Sequence, residues 1–301
     1  MKRRTILTSL AASTALAATK SVKPTAAILG GSPSFIETDD RTKLFVRDWG
    51  AGAPVLFVHS WAVNADLWQY QMVHLCENNL RCLAFDRRGH GRSSEPGHGY
   101  TADRLADDLA AVIDQVDLKN LTLVGHSLGC GEIVRYLSRH GARRVARVVL
   151  VAPTLPYTSK TPDNPDGVVT PDLVGRLRAR MASDFPGWVT ENARGFFAPE
   201  TSQAMLDWGI RMITQTSLKV VLDCNRVVNE TDYRAELSKI DLPVLIIHGD
   251  KDLSAPLDLT GRKTAQLIPR SRLIVYEGGP HGLMFTHRER LNSNLLAFAK
   301  S

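Results

Sequence analysis

No Cys-x-x-Cys pair of metal-binding spacing occurs in the sequence, which holds only four cysteines, Cys76, Cys82, Cys130 and Cys224. A structural zinc site and a disulfide-dense scaffold are therefore excluded. Cys82 opens an apolar run, and the expectation is four buried thiols without bridges. No apolar run reaches the roughly 18–20 residues of a spanning helix, so stable membrane insertion is not expected. Internal repeats are missing, and so is any low-complexity tract beyond the first residues. What remains is a soluble globular composition, 44% hydrophobic and 23% charged, with five Trp and nine Phe to furnish a core.

Acidic residues are absent before Glu37, whereas Lys2, Arg3, Arg4, Lys20 and Lys23 all lie in that stretch. The net charge of +6 thus falls to +1 once those five are set aside, and the case for a nucleic-acid partner goes with them. Met1-Lys2-Arg3-Arg4, a moderately apolar stretch to Ala18 and small residues around Ala17 and Ala27 read as a secretory signal over residues 1–27. Adjacent Arg3-Arg4 followed by Ile6-Leu7 resembles the twin-arginine type, with Lys2 where a polar residue usually stands. The expected address is the periplasm or the medium of a bacterium.

Short apolar runs alternate with helix-period stretches, the pattern of a parallel sheet flanked by helices. Strands are expected at 44–47, 55–59, 82–85, 121–124, 145–151, 244–248 and 273–276, and helices at 65–76, 102–116, 131–139, 257–267 and 288–299. The rhythm breaks at 153–241, which opens with prolines and carries Phe185, Trp188, Phe196, Phe197 and Trp208. It is too long for a simple connection and reads as a helical cap inserted in one domain spanning 35–301.

Gly125-His126-Ser127-Leu128-Gly129 follows an apolar strand and precedes a helical stretch, the context of a nucleophile elbow. The turn exposes the Ser127 hydroxyl, and the N–H of Leu128 at the helix start is left free for a developing oxyanion. A serine hydroxyl needs a base, and the base an orienting acid. Of nine histidines, His281 sits in a Gly-Pro-His-Gly turn directly after the last expected strand, whereas His287 falls in the following helix as a solvated or capping residue. For the acid, Asp252 has more reach toward His281 than Asp250, which leaves the strand end at once and suits a turn cap. The Asp-x-Asp pair lacks the Gly and Glu of an EF-hand, so no metal is expected.

Together Asp48-Trp49-Gly50, Val58-His59-Ser60-Trp61, Ala65-Asp66-Leu67-Trp68, the run Asp86-Arg87-Arg88-Gly89-His90-Gly91-Arg92-Ser93, the elbow, His248-Gly249-Asp250-Lys251-Asp252 and Pro280-His281-Gly282 resemble the α/β-hydrolase superfamily, in particular its cofactor-free haloperoxidase, perhydrolase and aryl-esterase group. The resemblance runs from about Phe35 to Ser301. It implies an α/β-hydrolase fold, no cofactor, Asp252 as triad acid and Trp61 as second oxyanion donor. It also implies a small-molecule ester substrate and assembly from identical subunits. Ser60 departs from the family's glycine. The 86–93 run reads as structural, its charges pairing within the loop. Trp61, Leu128 and Phe196 are the expected pocket residues. The expected activity is hydrolysis of small aryl or alkyl esters, with perhydrolase or haloperoxidase chemistry at the side. Lactonase and carbon–carbon hydrolase are the alternatives on the same triad, and a non-enzymatic binding protein would have lost a triad member.

Overall fold

The computed structural model describes residues 34–301, so the expected leader lies outside the described residues. The apolar runs pair into one sheet of eight strands: β1 (Phe35–Glu37), β2 (Lys43–Gly50), β3 (Ala53–Val58), β4 (Leu80–Phe85), β5 (Leu121–His126), β6 (Val145–Val151), β7 (Val244–Gly249) and β8 (Ser271–Tyr276). Their order is β1-β2-β4-β3-β5-β6-β7-β8. The β1–β2 and β2–β4 pairs are antiparallel and all others parallel. Every residue of β5 and β7 is buried, which is why these strands read as continuous apolar runs.

The helices are α1 (Gln69–Glu77), α2 (Ala102–Gln115), α3 (Leu128–His140), α4 (Pro171–Ser183), α5 (Phe185–Asn192), α6 (Gln203–Thr214), α7 (Leu218–Glu230), α8 (Arg234–Leu237), α9 (Gly261–Leu267), α10 (Leu283–Thr286) and α11 (Arg288–Ala299). Successive strand residues point to opposite faces. Leu56, Leu123, Val148 and Ile246 meet Leu105 and Leu109 of α2 and Ile133 of α3 on one side. Phe57, Val124, Val149 and Ile247 meet Met72 and Leu75 of α1 and Leu291 and Leu295 of α11 on the other. Burial of each such side chain stabilises the fold by about 1.5–3 kcal/mol.

The stretch expected as a helical insertion carries α4 to α8 between β6 and β7. Four of these helices begin at a side chain that caps a backbone N–H: Thr170, Asp184, Ser202 and Ser217.

Some boundaries differ from expectation. Asn64 caps a 3-10 turn over Ala65–Trp68, so α1 starts one turn later than the periodicity suggests. Helix α3 starts at Leu128 rather than 131, and α9 at Gly261 rather than 257, because Pro256 accepts turn bonds from Leu259 and Thr260. Strand β1 has only three residues, too few to show a period. Cys82, Cys130 and Cys224 are buried free thiols, but Cys76, at the end of α1, is only partly buried. Among the described residues no helix is long and apolar enough to cross a membrane.

Candidate active site

Ser127 forms the one-residue link between β5 and α3, with φ 53° and ψ −116°, a conformation that L side chains rarely adopt. A Cβ at Gly129 would stand 2.6 Å from the Val58 carbonyl oxygen and 2.9 Å from that of His59. Glycine there lets the start of α3 pack directly on the end of β3. The Leu128 N–H, at the first position of that helix, has no intrahelical acceptor.

The loops after β7 and β8 bring Asp252 and His281 together, with Oδ2 and Nδ1 2.6 Å apart and both residues buried. With Nδ1–H donating to the carboxylate, Nε2 is left as the basic nitrogen. Asp252 Oδ1 accepts from the Ser254 and Ala255 N–H groups at 2.9 and 2.8 Å, and Oδ2 lies 3.2 Å from His248 Nε2. Burial pushes the Asp252 carboxyl up, yet His281 and His248 outweigh it and hold the group well below the usual carboxylate range. Ser127 Oγ makes no hydrogen bond to His281 among the described residues. Such bonds commonly tighten only with substrate in place.

Asp250 makes no hydrogen bond to His281 among the described residues; instead of capping its own turn it accepts the Gly278 N–H of the loop after β8 at 2.8 Å. His287 packs against Tyr276 and pairs with the Thr286 hydroxyl at 2.9 Å. Two histidines that sequence reasoning passed over complete the surroundings. His248 backs Asp252. His126 Nε2 donates to the His281 carbonyl at 3.0 Å, with the two rings 4.6 Å apart. Burial, then the neighbouring His281, keeps His126 well below the ordinary imidazole range and hence neutral. A histidine at the variable position of the elbow carries no pattern that would have announced this.

Trp61 follows β3, and its ring meets Phe185 and Trp188 edge-on. Its indole N–H donates to the Val221 carbonyl of α7 at 2.8 Å. The backbone N–H groups of Trp61 and Leu128 have no acceptor among the described residues. Phe196 lies edge-on to the His281 ring at 5.6 Å and accepts the Gly282 N–H on its carbonyl at 2.9 Å. It also lines an apolar cavity with Val63, Leu67, Met212, Ile213 and Phe285. Neither Ser127 nor His281 lines that cavity.

The charges of the 86–93 run pair differently from expectation. Only Asp86 and Arg92 meet within the loop, at 2.8 Å. Arg87 pairs with Glu132 of α3 at 2.7 Å, and Arg88 with Asp108 of α2 at 2.6 Å and with Asp40 at 2.9 Å. Arg87 and Arg88 turn inward and are fully buried, so they need partners from the elements packed around them.

The alpha/beta hydrolase fold family model matches residues 53–207. A non-heme chloroperoxidase of Kitasatospora aureofaciens is 38% identical, over 87% of this chain and 97% of that protein. A bifunctional esterase/perhydrolase of Acinetobacter calcoaceticus is 36% identical, over 89% of this chain and 99% of that protein. The crystal structure of a bromoperoxidase from Bacillus anthracis superposes with a TM-score of 0.86 at 34% identity, covering 89% of this chain and 99% of that one. The strand order, the elbow and this similarity agree: the chain belongs to the α/β-hydrolase fold family.

Proposed function

We propose that the chain is a serine hydrolase that cleaves small carboxylic esters by acyl transfer. Ser127 is the nucleophile, His281 the base and then the acid, and Asp252 the residue that orients the imidazole. The observation that carries this reading is the buried 2.6 Å contact between Asp252 and His281, at the strand ends that also present Ser127 on its strained turn.

His281 Nε2 takes the Ser127 proton as Oγ attacks the ester carbonyl, and Asp252 stabilises the imidazolium. The oxyanion is received by the Leu128 and Trp61 N–H groups, each worth about 10²–10³ in kcat where such donors have been removed. His281 then returns the proton to the leaving alkoxide, and water, deprotonated by His281, releases the acid. The aromatic surroundings of Phe196 and Trp61 suit an apolar acyl or aryl group. No metal or cofactor takes part in these steps.

A second reading is favoured by the relatives named chloroperoxidase and esterase/perhydrolase. Hydrogen peroxide replaces water at the acyl-enzyme and leaves as a peracid. The peracid transfers one oxygen to halide, giving hypohalite and the carboxylic acid.

Purified Ser127→Ala protein tests the mechanism. The expected result is loss of p-nitrophenyl acetate hydrolysis, and a wild-type rate would refute the assignment. A panel of aryl, alkyl and lactone esters, with and without peroxide plus bromide, separates esterase, lactonase and perhydrolase outcomes.

A further inference from the structure

The guanidinium of Arg87 is fully buried, and its polar contacts point at two places, the loop after β3 and helix α3. Nη2 donates to the His59 carbonyl at 2.8 Å and Nη1 to the Ser60 carbonyl at 3.2 Å. Nε donates to Glu132 Oε2 at 2.8 Å. His59 joins the set: the Arg87 backbone N–H donates to its Nε2 at 2.9 Å, so Nδ1 carries the proton and donates to the Ser60 carbonyl at 2.8 Å. Burial, followed by the charge of Arg87, keeps this ring neutral.

Peptide planarity gives these bonds a consequence. The Ser60 C=O and the Trp61 N–H belong to one planar trans unit and point in opposite directions. Two donors on the Ser60 oxygen therefore fix where the Trp61 N–H is aimed. Glu132 stands about one turn along α3 from Leu128, the other oxyanion donor. The same guanidinium thus links the peptide that carries one donor to the helix that supplies the other. Glu132 is buried with Oε1 unpartnered, and burial pushes its carboxyl up to about 7 against the pull of Arg87. An ion pair kept in an apolar interior against such desolvation is weak evidence for stability alone.

We infer that Arg87, anchored by Glu132, is a positioning residue that sets the relative placement of the Trp61 and Leu128 N–H groups, an assignment that rests on the hydrolase reading above. Neither residue touches the substrate. They act through the backbone that does.

Arg87→Lys tests this, because one ammonium keeps the charge but cannot hold two carbonyls and a carboxylate in one plane. Active sites are counted by the p-nitrophenol released from a p-nitrophenyl phosphonate, and kcat is expressed per reactive serine. Expected are a fall in kcat of about 10–100-fold with KM held within about threefold. The Ki of phenylboronic acid, whose tetrahedral adduct fills the oxyanion site, weakens by a similar factor. Glu132→Gln, which preserves shape and loosens the anchor, gives a smaller loss of about tenfold in both readouts. It decides the matter if Arg87→Lys does not fold. Variants that melt earlier yet keep wild-type kcat per titrated serine and wild-type Ki would overturn the assignment. An inactive Ser127→Ala beside a fully active Arg87→Lys overturns the positioning role alone, whereas an active Ser127→Ala overturns the hydrolase reading beneath it.

Discussion

The Trp61 indole and the Val221 carbonyl are joined by a 2.8 Å hydrogen bond across 160 residues of sequence, tying the loop after β3 to α7. The Thr216 hydroxyl adds a second tie, donating to the Ala62 carbonyl at 3.0 Å. Trp61→Phe keeps an apolar ring against Phe185 and Trp188 but removes the donor. A bond of this kind contributes about 0.5–1.5 kcal/mol, so the melting temperature is expected to drop by about 1–4 °C. The rate kcat/KM on p-nitrophenyl acetate should fall by about 3–10-fold as the loop loosens. Circular dichroism melts and initial rates check both, and no change in either would show that the tie contributes nothing.

Export is proposed for the full chain on the strength of the Arg3-Arg4 pair and the acid-free leader. Replacing both arginines by lysine preserves charge and removes the twin-arginine feature. Expressed in a bacterial host, the double variant should collect in the cytoplasm while the parent reaches the periplasm. Equal periplasmic signal for the two on fractionation would rule out the twin-arginine route.

Much of the proposed site was legible in the sequence because the residues assigned to it fall at strand ends, where apolar runs stop abruptly. Ser127, Asp252 and His281 each follow such a run, and chain order alone narrowed nine histidines to two. The partners that came from other elements were not legible. Arg87 and Glu132 are 45 residues apart, and nothing in the spacing shows that the 86–93 loop turns Arg87 and Arg88 inward onto α3 and α2. His126 escaped notice for the same reason, since the residue it acts on, His281, comes from another loop, whereas His248 stands only four residues before Asp252, a spacing that carries no pattern of its own. Also missed or misplaced were a three-residue strand and helix starts decided by local turns rather than by periodicity, at Asn64 before α1, Ser127 before α3 and Pro256 before α9.

Gly129→Ala probes the closeness of α3 to β3. The new methyl would lie 2.6 Å and 2.9 Å from two backbone carbonyl oxygens, neither able to rotate aside as a side chain would. The helix start must shift, at a cost of about 1–3 kcal/mol. Because Leu128 moves with it, kcat is expected to fall by at least about tenfold even where the protein remains folded. Urea denaturation alongside kinetics separates the two effects, and a variant with wild-type midpoint and rate would contradict the packing described.

Asp252→Asn addresses charge without changing shape. The amide still fits between Ser254, Ala255 and His281, but it no longer stabilises an imidazolium or fixes the Nδ1–H tautomer. The expected loss in kcat is about 10³–10⁴-fold with KM little changed. The same residue bears on acid stability. Its carboxyl is held below the ordinary value of 3.8 when folded, so the folded state binds this proton less readily than the unfolded state. The stabilisation from Asp252 is therefore complete above about pH 5 and is lost as the pH falls through its folded-state value. The difference in urea midpoint between wild type and Asp252→Asn should be largest near neutrality and shrink steadily below about pH 4. A difference that stays constant down to the lowest pH at which both proteins fold would mean that the carboxylate is not held in its ionised form by His281 and His248.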